Sequence, residues 1–194
     1  MLKINRQEML GRYIDFSRVN LFLDEVTAAN EKFNLYSRNL TRNDLQVLIA
    51  ESFIPVELGW IIGGGGPLLD IGSGWGIPAV PLLLAGLDLE VTMVERSRKK
   101  ADFLFLLLRR LKIEAEIIDG GLEKITRQSP FKVVTLRGVA VDRKVIHSLR
   151  KMVDPAASLI YFGPRPGELV RSVEDVDYIV DNLPVRRIVR AQIK

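Results

Sequence analysis

The run Leu68-Leu69-Asp70-Ile71-Gly72-Ser73-Gly74-Trp75-Gly76-Ile77-Pro78 constrains the fold of this chain more than any other stretch. A short apolar segment ends on an acidic residue, turns through Gly-x-Gly-x-Gly, and continues into a segment that reads as a helix. Such a turn needs backbone at positive φ and close approach, which glycine allows because it has no Cβ. The helix start contributes free N–H groups and a partial positive charge. The pattern predicts a strand–turn–helix pocket for a nucleotide-like ligand, the plainer alternative being a tight turn with no ligand.

Spacing separates two cofactor classes. The dinucleotide fingerprint is G-x-G-x-x-G. Here the third glycine arrives one residue early, at Gly76, and Ile77 and Pro78 follow. Asp70, two residues before Gly72, would attract the cationic ammonium and sulfonium ends of S-adenosylmethionine and repel a pyrophosphate. The next alternating run, Glu90-Val91-Thr92-Met93-Val94-Glu95, reads as the second strand of the unit. An acidic residue about 20 positions after the glycine turn accepts hydrogen bonds from ribose hydroxyls. Glu95 fits that interval, and an ion pair with Arg96 or Arg98 is its alternative.

Composition narrows the chemistry. The 194 residues are 47% hydrophobic, enough for one domain with a substantial core. There is no cysteine, so no disulfide framework or thiolate metal site is expected. The one histidine, His147, reads as a surface or satisfied side chain, and no metal is expected. No apolar run reaches the ~18 residues of a membrane span and the first residues lack a signal-peptide core, so a cytoplasmic setting is the expectation. A net charge of +4 and a pI near 9.4 favour an anionic partner, RNA first.

The chain divides at Gly63-Gly64-Gly65-Gly66-Pro67, which cannot hold a helix. Residues 1–66 read as an N-terminal helical part packed on the core. Phe16, Val19, Phe22, Leu23, Val26 and Phe33 form a core-facing stripe. Thr41 or Asn43 caps a helix running to about Leu58. Residues 67–194 read as an alternating α/β core. Strands are expected at 68–71, 90–94, 114–118, 132–136 and 157–162, with helices at 77–86, 97–111 and 142–152. Two final strands near 176–182 and 187–193 have no helix between them, so the last should run antiparallel in an otherwise parallel, doubly wound sheet. Ligands of such sheets sit beyond the carboxyl ends of the strands, which selects Asp70, Glu95, Asp119 to Glu123, and Arg137.

The stretch Asp70 to Leu82 resembles the first motif of the bacterial small-subunit rRNA guanine-N7 methyltransferases, the GidB or RsmG family, including the prolines at Pro78 and Pro81. Lys32-Phe33-Asn34-Leu35 is similar to that family's Lys-Ile-Asn-Leu, and Lys99-Lys100-Ala101-Asp102-Phe103-Leu104 to its Lys-Lys-x-x-Phe-Leu. Asp119-Gly120-Gly121-Leu122-Glu123 stands where the family has His-Gly-Arg-Ala-Glu. Val134-Thr135-Leu136-Arg137-Gly138-Val139-Ala140 resembles its Val-Thr-Ser-Arg-Ala-Val-Ala. The likeness runs in order over roughly residues 30 to 194. It departs at Glu51-Ser52-Phe53, where the family has Arg-His-Phe, at Tyr161-Phe162-Gly163, where it has Leu-Lys-Gly, and at Trp75, where it has a small residue.

The resemblance implies a Rossmann-like methyltransferase fold and a protein that takes S-adenosylmethionine and acts on rRNA or the small ribosomal subunit; the sequence leaves the oligomeric state open, a monomer being the default expectation. The implied cofactor set is Asp70, Gly72, Ser73, Gly74, Gly76, Glu95, Arg96, Leu122, Glu123 and Arg137. Guanine N7 carries an in-plane lone pair and no proton, so it needs alignment and no general base. Arg137 is the candidate catalytic side chain, a planar fork that can bind phosphate or O6, or stack on a base. Its alternative is an ion pair with a carboxylate such as Glu123. Trp60 and Trp75 could stack on a base, though Trp60 reads as packing. Arg42, Arg127 and Lys132 could extend an RNA-backbone footprint, while Lys99, Lys100, Arg109 and Arg110 read as a solvated helix face. Arg186, Arg187 and Arg190 read as guards of an edge strand. Two other functions stay open: a nicotinamide oxidoreductase, and a cofactor-binding protein that docks on RNA with lost or altered methylation.

Overall fold

Leu68 and Leu69 are fully buried but belong to different apolar clusters, and Val133 and Val134 on the neighbouring strand divide the same way. Successive side chains of a strand point to opposite faces, so the sheet is covered on both sides. In the computed structural model, which describes residues 1–164 and 168–193, an eight-stranded sheet has the order β1-β7-β8-β6-β5-β2-β3-β4. The strands are β1 (Leu2–Ile4), β2 (Leu68–Ile71), β3 (Val91–Glu95), β4 (Glu116–Asp119), β5 (Phe131–Arg137), β6 (Val153–Phe162), β7 (Val170–Val180) and β8 (Arg186–Ile193). Only β8 is antiparallel to its neighbours, β6 and β7. The expected doubly wound α/β sheet with a reversed last strand is therefore the fold.

The helices are α1 (Arg6–Tyr13), α2 (Phe16–Lys32), α3 (Arg42–Glu51), α4 (Ile54–Glu57), α5 (Ala79–Leu84), α6 (Arg98–Leu111) and α7 (Arg143–Leu149). The apolar stripes of α1 to α6 join one cluster, and α7 with the 3₁₀ turn Leu122–Lys124 packs in the other. Local chemistry sets the helix starts. Asp15 caps α2, its side chain accepting from the Ser17 N–H at 2.6 Å. Thr41, not Asn43, caps α3 in a reciprocal box: its hydroxyl accepts from the Asp44 N–H at 3.2 Å, and Asp44 accepts from the Thr41 N–H at 2.8 Å.

The structure differs from the sequence reading in three places. The expected helix to Leu58 is two helices, breaking at Ser52 and Phe53 just before Pro55. The N-terminal part is not purely helical, because β1 joins the core sheet beside β7, with Leu2 opposite Tyr178. Finally, β8 lies inside the sheet, so Arg186, Arg187 and Arg190 are not edge guards. The edges are β1 and β4.

Candidate functional site

Two cavities open at the carboxyl ends of the central strands. The first, of about 510 Å³, is lined by Ile71, Gly72, Glu95, Arg96, Leu122 and Glu123, with residues of the β5–α7 connection closing it. It brings together five of the ten sequence-predicted cofactor residues. Its floor is the glycine turn. Gly72 sits at φ +71°, where a Cβ would fall 2.4 Å from Val139 Cγ2. The Gly72 N–H donates to the Val94 carbonyl at 2.8 Å, tying the turn to β3.

Glu95 ends β3 and braces this turn. Its Oε2 accepts from the Gly74 N–H at 2.9 Å and its Oε1 from the Ser97 N–H at 2.8 Å, at the start of α6. Each oxygen keeps a lone pair for a further donor. The alternative ion pair does not form: Arg98 lies 3.8 Å from Asp102 and 3.5 Å from Asp119. Ser73 and Gly76 are buried within the turn and do not line the cavity. Ser73 Oγ donates to the Asp70 carbonyl at 3.1 Å, and a Cβ on Gly76 would strike Val80.

Asp70 lies behind the turn and is 1% exposed. The Thr135 hydroxyl donates to its Oδ1 at 2.6 Å, while Oδ2 is buried with no partner among the described residues. Burial pushes the carboxyl up to about 6, against the opposing pull of the Thr135 hydrogen bond and the charge of Arg137. An unpaired buried carboxylate oxygen beside a glycine turn, with Glu95 on the next strand, is a donor set that fits a cationic, ribose-bearing cofactor.

Arg137 ends β5 but does not line that cleft. It opens onto the second cavity, of about 540 Å³, with Glu51, Phe162, Tyr178, Arg186 and Arg187. The expected partner Glu123 is exposed and elsewhere, and the carboxylate that holds Arg137 is Glu51, at 2.8 Å from Nη1. The guanidinium lies 4.2 Å over the Phe162 ring, and its Nε and Nη2 are buried without a partner among the described residues. Glu51 is 0% exposed and also accepts from Arg186 Nη1. Burial, then the charge of Glu51, pushes the Tyr178 phenol up. Sequence reasoning missed this network. Its one local signal is an acidic residue in the otherwise apolar stretch Leu48-Ile49-Ala50-Glu51-Ser52-Phe53-Ile54.

Other candidates fall away from both cavities. Trp75 is packed against Phe22 and Tyr36 at 5.6 and 5.8 Å between ring centres, so it has no free face for a base. The Trp60 indole N–H donates to Glu174 at 3.0 Å, and Arg190 bonds the same carboxylate. Arg42 is paired with Asp24 and Arg127 makes two bonds to Glu90, which leaves Lys132 as the one of that trio with no ion-pair partner among the described residues. His147 is exposed. Among the described residues no group of three or more acidic or imidazole side chains could hold a metal, and no helix is long and apolar enough to cross a membrane.

A doubly wound sheet with one reversed strand, a glycine turn after its central strand and acidic residues ending the two strands beside it define the Rossmann-like methyltransferase class. The Pyrococcus abyssi tRNA (uracil-54, C5)-methyltransferase, solved with S-adenosyl-L-homocysteine, shares the fold at a TM-score of 0.55 and 15% identity, over 73% of this chain and 38% of that one. Within the class, the chain belongs to the GidB family, rRNA small subunit methyltransferase G, whose profile matches residues 15–168. Ribosomal RNA small subunit methyltransferase G of Chloroflexus aggregans is 32% identical over 79% of this chain and 62% of its own length. The Mycoplasmopsis pulmonis protein of the same name is 32% identical over 64% of this chain and 53% of its own. The chain thus spans little more than half the length of these two relatives.

Proposed function

We propose that this protein transfers a methyl group from S-adenosylmethionine to small-subunit rRNA, with guanine N7 as the acceptor atom, in the cytoplasm. The observation that carries the reading is the glycine turn held between two acidic strand ends, one of which, Asp70, keeps a buried oxygen unpaired. S-adenosylmethionine, when bound, supplies an electrophilic methyl on a sulfonium centre. Asp70 offers its free oxygen to positive charge, Glu95 accepts from ribose hydroxyls, and Gly72 lets the backbone approach. Leu122 and Glu123 close the far wall.

N7 needs no base, which suits a site without a histidine. Arg137 orients the acceptor. Phe162 covers one face of its guanidinium, Glu51 fixes its plane, and its exposed part lines the adjoining cavity for stacking on a planar base. A second reading, a cofactor-binding protein that docks on RNA without methylating it, is favoured by Glu51, which puts a buried carboxylate where the family pattern has arginine.

The test is tritiated-methyl transfer to rRNA from cells lacking the protein, offered naked and as small subunits, with nucleoside mapping of the product. Label in 7-methylguanosine is expected. Label in another nucleoside overturns the N7 assignment. No label, with S-adenosylmethionine still raising the Tm, selects the docking reading.

A further inference from the structure

The cavity beside the cofactor cleft is built differently from the rest of the surface. Elsewhere among the described residues ion-paired arginines such as Arg42 and Arg127 have a carboxylate each, Asp24 and Glu90. Here a single carboxylate serves two guanidiniums. Glu51, on the last turn of α3, is fully buried and splits its oxygens between Arg137 from β5 and Arg186 from β8. Helix packing does not call for a charge there, since Val47, Ile49, Ala50, Phe53 and Ile54 around it are buried and apolar. A carboxylate taken fully out of water is costly unless compensated, and Glu51 is paired on both oxygens. What the arrangement achieves is to fix two cations from distant strands at one wall.

The wall is left with a surplus of positive charge. Arg187, next to Arg186, makes two bonds to Asp177, at 2.6 and 2.9 Å, and is neutralised. Among the described residues that line the cavity, Arg137, Arg186 and Arg187 against Glu51 and Asp177 leave one positive charge. Arg137 is the inner member, with a side chain 17% exposed. Arg186 is the outer one. Its side chain is 40% exposed, and Glu51 is its one ion-pair partner among the described residues. A guanidinium held by one nitrogen keeps donors in a planar fork, the geometry that matches a phosphate. A volume of about 540 Å³ is within the range of pockets that take a nucleotide-sized group.

We infer that this cavity is a subsite for one phosphodiester group of the RNA strand, gripped from the rim by Arg186. The inference rests on RNA as the substrate and adds where the backbone is held. A singly charged phosphodiester matches the single surplus charge, and its binding here sets a strand end-on to Arg137 and the cofactor cleft. Arg186 was expected to be a passive guard, and this assigns it a ligand.

The test is a binding titration of a small-subunit rRNA fragment over a series of KCl concentrations, with wild type, Arg186→Gln, Arg186→Lys and, as a distant control, Arg109→Gln on the exposed side of α6. Loss of one phosphate contact to a single strand lowers the slope of log affinity against log salt by about 0.7. Arg186→Gln is expected to show that drop, Arg186→Lys to keep the wild-type slope with weaker binding, and Arg109→Gln to match wild type. The Tm shift with S-adenosylmethionine is expected to persist in Arg186→Gln, which also shows that the variant is folded. An unchanged slope in Arg186→Gln overturns the subsite and leaves the methyltransferase reading standing. An equal drop in Arg109→Gln overturns it as a local site. A variant that binds free RNA like wild type but no longer binds the assembled subunit overturns it in favour of an acidic protein partner. Wild-type protein that binds S-adenosylmethionine but no RNA removes the substrate reading and the subsite together.

Discussion

Asp70 is a buried carboxylate whose burial costs stability, and the proposed function gives that cost a use. Its carboxyl titrates near 6 in the folded chain, against an ordinary value near 3.8. A native pKa above the unfolded one means that the folded state holds the proton more tightly. The associated stability is full below pH 4 and is lost as pH rises through 6, up to about 3 kcal/mol. Asp70→Asn is therefore expected to raise the Tm of the ligand-free protein at pH 7 and to flatten its pH dependence between 4 and 6. The same substitution should cut the Tm gain from S-adenosylmethionine, because the unpaired anionic oxygen is gone. A lower ligand-free Tm with an undiminished ligand shift would contradict both the strain and the role. Asp70 and Glu95 were legible in the sequence because strand, turn and acid lie within a few residues of one another. Glu51 and Arg186 were not, because 135 residues separate them and only the sheet order brings them together. Arg137 was legible as a rim residue, but its partner was not, since Glu51 arrives on a helix outside the α/β repeat. Trp75 misled for a related reason: its neighbours Phe22 and Tyr36 come from the N-terminal part.

At the scale of elements, α3 carries the buried carboxylate on its last turn, and its first turn is fastened by Thr41 and Asp44. Thr41→Ala removes one half of the capping box and is expected to cost about 1 kcal/mol. Urea unfolding should show a lower midpoint with an unchanged m-value, and cofactor affinity should stay at the wild-type level because the cleft lies elsewhere. A midpoint equal to wild type would mean that tertiary contacts alone hold the helix. The β/α alternation from β2 to β6 could be read from the sequence, since each buried strand is an apolar run and each helix a stripe. Lengths were harder. The expected helix at 77–86 shrinks to Ala79–Leu84, and β6 begins at Val153, four residues ahead of the expected strand and through Pro155, a residue that central strands seldom hold. β1 has three residues, too few for a periodicity to register.

At the scale of the molecule, β1 covers the outer edge of the last three residues of β7, an eleven-residue strand. The link is reinforced by the Arg6 N–H, which donates to Asp181 Oδ1 at 3.0 Å, and by an ion pair between the same side chains at 3.5 Å. Removing residues 1–5 leaves β7 as an open edge. Such a chain is expected to have a lower Tm and to associate with increasing concentration in sedimentation, whereas a strictly monomeric truncation would show that the edge is protected by other means. The pairing also has a history. The 176 residues from Leu2 to its partner Tyr178 take roughly 9–35 s to synthesise at about 5–20 residues per second. β1 waits for β7 to be made before it can dock, and in that interval a nascent-chain chaperone has a clear stretch of polypeptide to hold.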